Sequence, residues 1–370
     1  MTNIAWRNLA RERLRLAISV GGVAFAVLLI LVLRGLYAGV LDQATQYIRS
    51  VDADIWVAER EAPGDFFHSV SLLSTDLRDD VGAVAGVQDV NTLVARPIVF
   101  EHGGKDLDFL LLGIDPVGVV GGPPAIEKGR TLRSSGELVL DRVFSRNAGI
   151  GIGDTVTIED RRLRVVGLAR GGNTLFSQFA WASDEDVRRL FGIDNLVNYY
   201  LVGVADSTDA RAVADRLERD VEGVQAFDQA EFLDANTSDI SEGFLPIIWV
   251  LVVIAFVIGT AVIGLTIYTA TLEKRREYGV LKAIGFTNRR LFGIIYQQSL
   301  VAGAIGFAVG LFLAVALGAF VERMVPSFVL LIRPTDVALV AVVAVVMTIV
   351  SSFLPARPVA RLDPAQVFRV

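Results

Sequence analysis

The sequence predicts an integral membrane protein of four transmembrane helices with a large extracytoplasmic mixed α+β domain inserted between helices 1 and 2. Three observations predict it. Hydrophobic residues make up 53% of the 370-residue chain and mean hydropathy is +0.52, too apolar for an ordinary soluble protein, yet 21% of residues are charged, too many for a chain lying wholly in lipid. Apolar runs near the ~20 residues that a bilayer crossing needs occur once before residue 42 and three times after residue 242. Between Asp42 and Glu242 acidic residues outnumber basic ones roughly two to one, whereas the other segments are net basic. The net charge of −6 therefore conceals an acidic domain and a basic remainder on opposite sides of one membrane. The absence of cysteine excludes disulfides, thiolate metal sites and cysteine nucleophiles, so the external domain must be held by its own core.

Residues 1–17 read as a cytoplasmic amphipathic segment: Ile4, Leu9, Leu14 and Leu16 alternate with Arg7, Arg11, Arg13 and Arg15, and Trp6 suits an interface. The apolar run that follows is longer than the core of a signal peptide and leads to no small-x-small cleavage site, so residues 18–41 read as an uncleaved first span with its N-terminus inside. Residues 42–242 form the external domain. Strands are predicted over 53–59, 87–101, 107–114, 137–140, 155–158, 163–168 and 199–204, and helices over 75–85, 184–191 and 208–221. The domain is expected as two lobes, one of about 42–115 plus 196–240, the smaller β-rich one inserted at about 116–195. Residues 243–272 read as the second span with a cytoplasmic extension, 273–291 as a cytoplasmic segment, and 292–320 as the third span. A short external loop (321–336), a fourth span (337–354) closed by Pro355, and a cytoplasmic tail (355–370) complete the chain.

The segment from Glu273 to Leu291 organises the rest. Lys274, Arg275, Arg276, Lys282, Arg289 and Arg290 place it on the cytoplasmic side, as Arg357, Arg361 and Arg369 place the tail. Read as a helix, it gathers Tyr278, Leu281 and Ile284 on one face flanked by Glu277 and Lys282, with Gly285 as a stop and Thr287 or Asn288 as the next cap. A charged helix held between two spans can touch a soluble partner and pass a push into the bilayer.

No catalytic constellation is present in the sequence. Gly103-Gly104-Lys105-Asp106 lacks the spacing of a phosphate loop and reads as a hairpin turn. His68 and His102 have no metal-ligand pattern around them, and Asp184-Glu185-Asp186 read as a helix start favoured by the dipole. Within the spans only Arg34 stands out, expected to snorkel to the interface. No chain of intramembrane carboxylates or lysines offers a proton or sodium path, so energy must come from elsewhere. Gly35-x-x-x-Gly39 and Gly306-x-x-x-Gly310 let helices approach closely, within one subunit or between two.

These residues resemble the FtsX-like (type VII) permeases of ABC transporters, which include the macrolide-exporter (MacB), lipoprotein-releasing and heterocyst-glycolipid (DevC) permeases. The resemblance is carried by Glu273-x-x-x-Glu277-x-Gly279-x-Leu281-Lys282-Ala283-x-Gly285 and by Pro355-Ala356-x-x-x-Ala360-x-x-Asp363-Pro364. Trp6-Arg7-Asn8-Leu9, Gly129-Arg130, Gly136 to Leu140, Gly153 to Val156 and Val165-Val166-Gly167 add to it. The first span and Asp54-Ile55-Trp56 are most similar to the heterocyst-glycolipid type. The resemblance implies a bacterial inner-membrane permease with both termini cytoplasmic, working as a dimer with two copies of a separate ABC ATPase. ATP and magnesium would be bound by that partner, leaving this chain without catalytic residues, cofactor or metal. It implies that Glu273, Glu277, Tyr278, Gly279, Leu281, Lys282 and Gly285 couple to the ATPase, and that motion passes to the external domain by mechanotransmission. Partners expected on the same ground are a lipid or other hydrophobic substrate and, where an outer membrane exists, a membrane-fusion adaptor protein; no nucleic acid is implied. Export or lipid extraction is the first functional expectation. The alternative is an FtsX-type signalling scaffold that switches a cell-wall hydrolase or sensor without transport.

Overall fold

The computed structural model describes residues 13–62, 64, 66, 71–102, 105–117, 120–172, 178–205, 208–284, 286–325 and 328–360. The expectations placed on residues 1–12, His68, Gly103-Gly104, Gly285 and 361–370 lie outside them. The chain divides into two units, Val40–Glu242 with Pro326–Phe328, and Met1–Gly39 with Gly243–Val325 and Val329–Val370.

The first of these units is built on one large mixed sheet, beside which β2 and β10 pair as a separate two-stranded sheet. In chain order, helix α1 (Arg13–Ser50) is followed by β1 (Ile55–Glu59), β2 (Leu73–Ser74), α2 (Leu77–Ala83), β3 (Val87–His102), β4 (Lys105–Ile114), β5 (Ala125–Gly129) and β6 (Glu137–Asp141). Then come α3 (Arg142–Ala148), β7 (Thr155–Ile158), β8 (Arg161–Arg170), β9 (Phe179–Ser183), α4 (Asp184–Phe191), β10 (Leu196–Val197), β11 (Tyr199–Val204), α5 (Ala210–Asp220) and β12 (Val224–Asp228). The strand order is β12-β1-β11-β3-β4-β9-β6-β8-β5, with β7 also on β8. The strands expected as a smaller inserted lobe join the others through parallel pairing of β4 with β9, from Leu110 with Phe179 to Ile114 with Ser183. The two expected lobes thus share a single sheet, because both strands at the junction are apolar enough to sit at its centre. Strands β3 and β4 pair antiparallel out to His102 with Lys105.

Alternation along β1 sends Ile55 and Val57 to one face and Trp56 and Ala58 to the other, and each face has its own core. Helices α2 to α5 cover the first face through Val81, Phe144, Val187, Val213 and Leu217. Aromatic rings fill the second: Trp56 stacks on Phe232 with centroids 4.5 Å apart, and Tyr47 meets Phe179 edge-on at 5.3 Å. Tyr47 belongs to α1 and Phe232 to α6 (Gln229–Glu273), so both helices contribute to this core. Asn236 of α6 donates from Nδ2 to the Gly64 carbonyl at 2.7 Å and accepts from the Phe66 amide at 2.8 Å. Helix α1 therefore continues beyond the predicted end at 41, and α6 starts well before the predicted 243. Leu41, Ala44, Tyr47, Ile48 and Val51 switch to the one-sided spacing of an amphipathic helix, which a search for continuous apolar runs passes over.

Helix α4 occupies the predicted span, capped by Ser183 and closed by Gly192 at φ 62°. Asp186 is more than a helix-start charge: its buried carboxylate accepts from Ser135 Oγ and the Gly136 amide, both at 2.6 Å, tying α4 to the approach to β6. Helix α5 is capped by Asp209, one residue after the predicted start at 208. Next to β6, Arg130 grips Glu137 with both Nη groups, and the Arg133 amide donates to the same carboxylate at 2.8 Å. The hydrogen bond from Arg130 is the main reason the Glu137 carboxyl is held down to about 2 from an ordinary 4.5. A depressed carboxylate stabilises fully above its unfolded value, and that contribution disappears as pH falls from about 4.5 towards 2. Glu137→Gln is expected to lower the neutral-pH Tm by roughly 2–4 °C, on the order of 1 kcal/mol after allowing for the partly exposed arginine. It should also flatten the acid limb of a Tm-against-pH scan; an unchanged limb would remove the assignment.

Among the described residues, the second unit holds four helices long and apolar enough to cross a membrane, in α1, α6, α8 (Asn288–Met324) and α9 (Pro334–Ala360), with the short α7 (Arg275–Ala283) between α6 and α8. Helix α9 runs through Pro355 instead of stopping there; one lost backbone bond is tolerated at the end of a helix packed among others. The four helices meet around Val27, Ile30, Ile263, Ile295, Val340 and Met347. A Cβ at Gly306 would stand 2.5 Å from Val23 Cβ, and one at Gly310 2.7 Å from the Ala24 carbonyl oxygen. That glycine pair brings α8 against α1 within this chain. Gly35 and Gly39 admit the loop before α9: the Leu331 amide donates to the Gly35 carbonyl at 3.0 Å, and a Cβ at Gly39 would overlap the Val329 carbonyl. Val253, Val257 and Leu265 on α6, Phe312 and Phe320 on α8, and Val342 and Phe353 on α9 are exposed, which suits lipid.

Candidate coupling surface

Helix α6 ends at Glu273, and a single residue, Lys274 at φ −85° and ψ 11°, separates it from α7. The backbone stays bonded through the bend, with Lys274 N to Ala270 O at 3.1 Å and Tyr278 N to Lys274 O at 3.0 Å. A second bend follows at Ile284, φ −87° and ψ 12°. Thr287 then sits at the cap of α8, accepting on its carbonyl from Arg290 N at 3.0 Å and Leu291 N at 3.2 Å, with no side-chain cap bond. The chain thereby folds a nine-residue helix into an elbow between two spans.

Tyr278 is buried with Leu291, Ile295 and Ile267, and Leu281 and Phe286 pack against the same cluster. These side chains fasten α7 to the membrane unit. Gly279 is buried as well, and Lys282 is half-buried. The opposite arc is exposed: Arg276, Glu277, Val280 at 41%, Ile284 at 69%, and, at the start of α8, Arg289 and Arg290. Arg290 holds its guanidinium 6.0 Å from the Phe286 ring centre. Glu273 is exposed and pairs with Arg15 of α1.

The seven residues expected to couple thus separate. Glu277 faces outward, Tyr278, Gly279 and Leu281 face inward, Lys282 lies between, Glu273 is engaged by Arg15, and Gly285 lies outside the described residues. Ile284, grouped with Tyr278 and Leu281 by spacing, is on the outer arc. Val280, Arg276, Arg289 and Arg290 complete the outer surface. Val280 and Ile284 stand four residues apart, a signal that was readable in the sequence.

Residues 249–364 match the family model for the FtsX-like permease C-terminal region, and residues 16–220, more than half of the chain, match the MacB-like periplasmic core domain. The chain belongs to the FtsX/MacB-type ABC transporter permeases. The fold class expected from the sequence holds: four membrane-spanning helices with a large mixed α/β domain inserted after the first. This permease is similar to an ABC transporter permease of Mycobacterium tuberculosis, 25% identical over 369 residues that cover 98% of each chain. It is similar to an ABC transporter permease of Methanocaldococcus jannaschii, 25% identical over 266 residues covering 66% of this chain and 65% of the other. It also matches a Pseudomonas fluorescens protein named "Probable export ATP-binding/permease protein", 20% identical over 390 residues, 98% of this chain and 59% of that one. Among solved structures, the periplasmic region of MacB from Actinobacillus actinomycetemcomitans overlays 50% of this chain and 92% of its own at a TM-score of 0.40 and 16% identity.

Proposed function

We propose that this permease couples a separate ABC ATPase to its α/β domain, with the outer arc of α7 as the ATPase seat. The observation that carries the reading is that surface: Val280 and Ile284 stand exposed with Arg276, Glu277, Arg289 and Arg290 in the segment that joins two spans. Support also comes from the relative named as an ATP-binding/permease protein, of which this chain matches 59%. In this reading α7 and both termini are cytoplasmic, the α/β domain is extracytoplasmic, and the membrane is the bacterial inner membrane. The complex is a dimer of permeases with two ATPases, ATP and magnesium bind only the ATPase, and this chain performs no chemistry.

Closure of the ATPases would move α7, and α6 would carry the movement to its other end as a lever. Stiffness is what a lever needs. Helix α6 is unbroken for 45 residues, with Pro246 as its one proline, and its first turns are locked into the aromatic core by Phe232 and Asn236. The work would be done on a lipid, lipoprotein or other hydrophobic substrate at the outer face, with a membrane-fusion adaptor on the external domain where an outer membrane is present.

The chain has no cysteine, which makes the test direct. Ala283→Cys on the outer arc should react with a membrane-impermeant maleimide only after lysis, and should be shielded once the ATPase is bound. Val117→Cys in the α/β domain, 84% exposed in the native residue, should react in intact cells stripped of their outer layers. Reaction of both positions from the same side would end the proposal.

A further inference from the structure

Strand β3 outruns its neighbour. It pairs with β11 only from Val87 to Leu93, while β4 accompanies it from Leu93 to His102, and β4 meets β9 only from Leu110 onward. Past those points the two strands pair only with each other and form an arm. Phe100 and Phe109 meet edge-on at 5.6 Å, and Phe109 lies 5.0 Å from Phe144 of α3, so the arm is anchored on the helix-covered face. The Ala95 amide points away from β4 and donates to Asn198 Oδ1 at 2.9 Å. Outward positions on an antiparallel strand recur every second residue, so Pro97, Val99 and Glu101 turn their backbone groups the same way. Asn198 is the last cap on this edge: among the described residues, nothing bonds the outward amides of Val99 and Glu101.

The two faces of the arm carry opposite charge. On one, Val99 is 68% exposed, and exposed Glu101 stands directly opposite Asp106 as Val99 stands opposite exposed Asp108. Like charges facing each other across a strand pair destabilise it, so a cation arriving there is favoured. On the other face Arg96, half-buried, follows Val94 and precedes Ile98, and its buried Nε has no acceptor among the described residues. A second copy of this chain pairing edge to edge would bring the same three carboxylates against these, and Pro97, which offers no amide, blunts the edge further. The charges therefore select a strand of complementary pattern.

We propose that the edge of β3 takes an added antiparallel strand from another polypeptide, an extended segment with lysine or arginine at alternate positions and a carboxylate among the residues between them. Its backbone would bond Val99 and Glu101, its cations would lie over Glu101 and reach towards Asp106 and Asp108, and its carboxylate would meet Arg96 on the opposite face. The role given to α7 plays no part in this proposal.

The test uses the full chain in mild detergent and fluorescein-labelled synthetic peptides read by anisotropy. The first peptide alternates threonine and lysine, with one central threonine replaced by glutamate. The second has the same composition with its lysines in one block. The third is the first with its lysine amides N-methylated, since those amides face the edge when the lysines lie over the acids. The alternating peptide should bind saturably and at least fivefold more tightly than the other two. Glu101→Gln with Asp108→Asn should weaken it at least fivefold and flatten its salt dependence. Arg96→Gln should remove the advantage of glutamate over threonine at the central position. Val99→Pro takes away an edge amide that β4 does not use and should abolish binding with little change in Tm; should that variant not fold, the N-methylated peptide puts the same question to the parent chain. Equal binding of the block or N-methylated peptide would mean charge attraction alone and overturn the added strand, as would the absence of saturable binding. Self-association of the chain that Val99→Pro abolishes would put a second copy on the edge and overturn it too.

Discussion

Val280→Asp combined with Ile284→Asp is expected to lower both binding of the partner ATPase and its stimulation at least tenfold, with the chain still folded and in the membrane. Ile284 is 69% and Val280 41% exposed in the isolated chain, so replacing them removes less internal contact than replacing the inward-facing Leu281. In the assembled complex each would be buried, and full burial of a branched aliphatic side chain contributes ~1.5–3 kcal/mol. Losing both, and placing two carboxylates into a desolvated groove, exceeds the ~1.4 kcal/mol that corresponds to a factor of ten. The surrounding charges act differently. Arg276, Arg289 and Arg290 rim the apolar pair, so Glu277→Lys should change association rate and salt dependence more than final affinity. Leu281→Asp is the contrasting control: Leu281 packs inward, so its replacement should lower Tm along with coupling. If the double aspartate variant binds and stimulates the ATPase as the parent does, α7 does not carry the contact.

The contrast between Ile284 and Leu281 shows what the sequence could and could not disclose. Spacing identified an apolar stripe of Tyr278, Leu281 and Ile284, but a stripe does not say what covers it. That depends on Leu291 and Ile295, which belong to the next helix and come into range only after the second bend. Elements with strong local signals were legible: α4 has a serine cap, three acids in its first turn and a glycine stop, and it occupies the predicted residues. β5, β9 and β12 were not. β5 is an exposed edge strand of sequence AIEKG with no alternation, and β9 is a fully buried five-residue run whose strand character comes from its neighbours β4 and β6. The long reach of α1 and α6 into the sheet's aromatic core escaped notice for a related reason. Their apolar pattern changes from all-round to one-sided at the point where lipid gives way to protein.

Asp336→Ala is expected to destabilise the membrane unit by about 2–3 kcal/mol, because it strands a cation in the first span. Arg34 does not simply snorkel: its Nε donates to Asp336 Oδ1 at 2.6 Å, and the Asp336 side chain is only 6% exposed. The aspartate sits in the first turn of α9, where the helix dipole adds a further ~0.3–1 kcal/mol for an acid. The arginine side chain, 31% exposed, can partly recover hydration, which places the estimate at or below the ~3–5 kcal/mol typical of breaking a buried pair. The pair is one of three ties at this end of the unit, beside the Leu331 amide on the Gly35 carbonyl and the close fit of Gly39 under Val329. Together they bind α1 to the segment that leads into α9, so a pull on one should reach the other. Arg34→Leu alone should cost a similar amount by leaving the carboxylate unpaired, whereas Arg34→Leu with Asp336→Ala should recover most of the loss. Tm values of the four proteins in detergent form a double-mutant cycle that separates the pair from the dipole contribution. A coupling energy near zero would mean that the two charges are each satisfied without the other, and that α1 and α9 are held together without this pair.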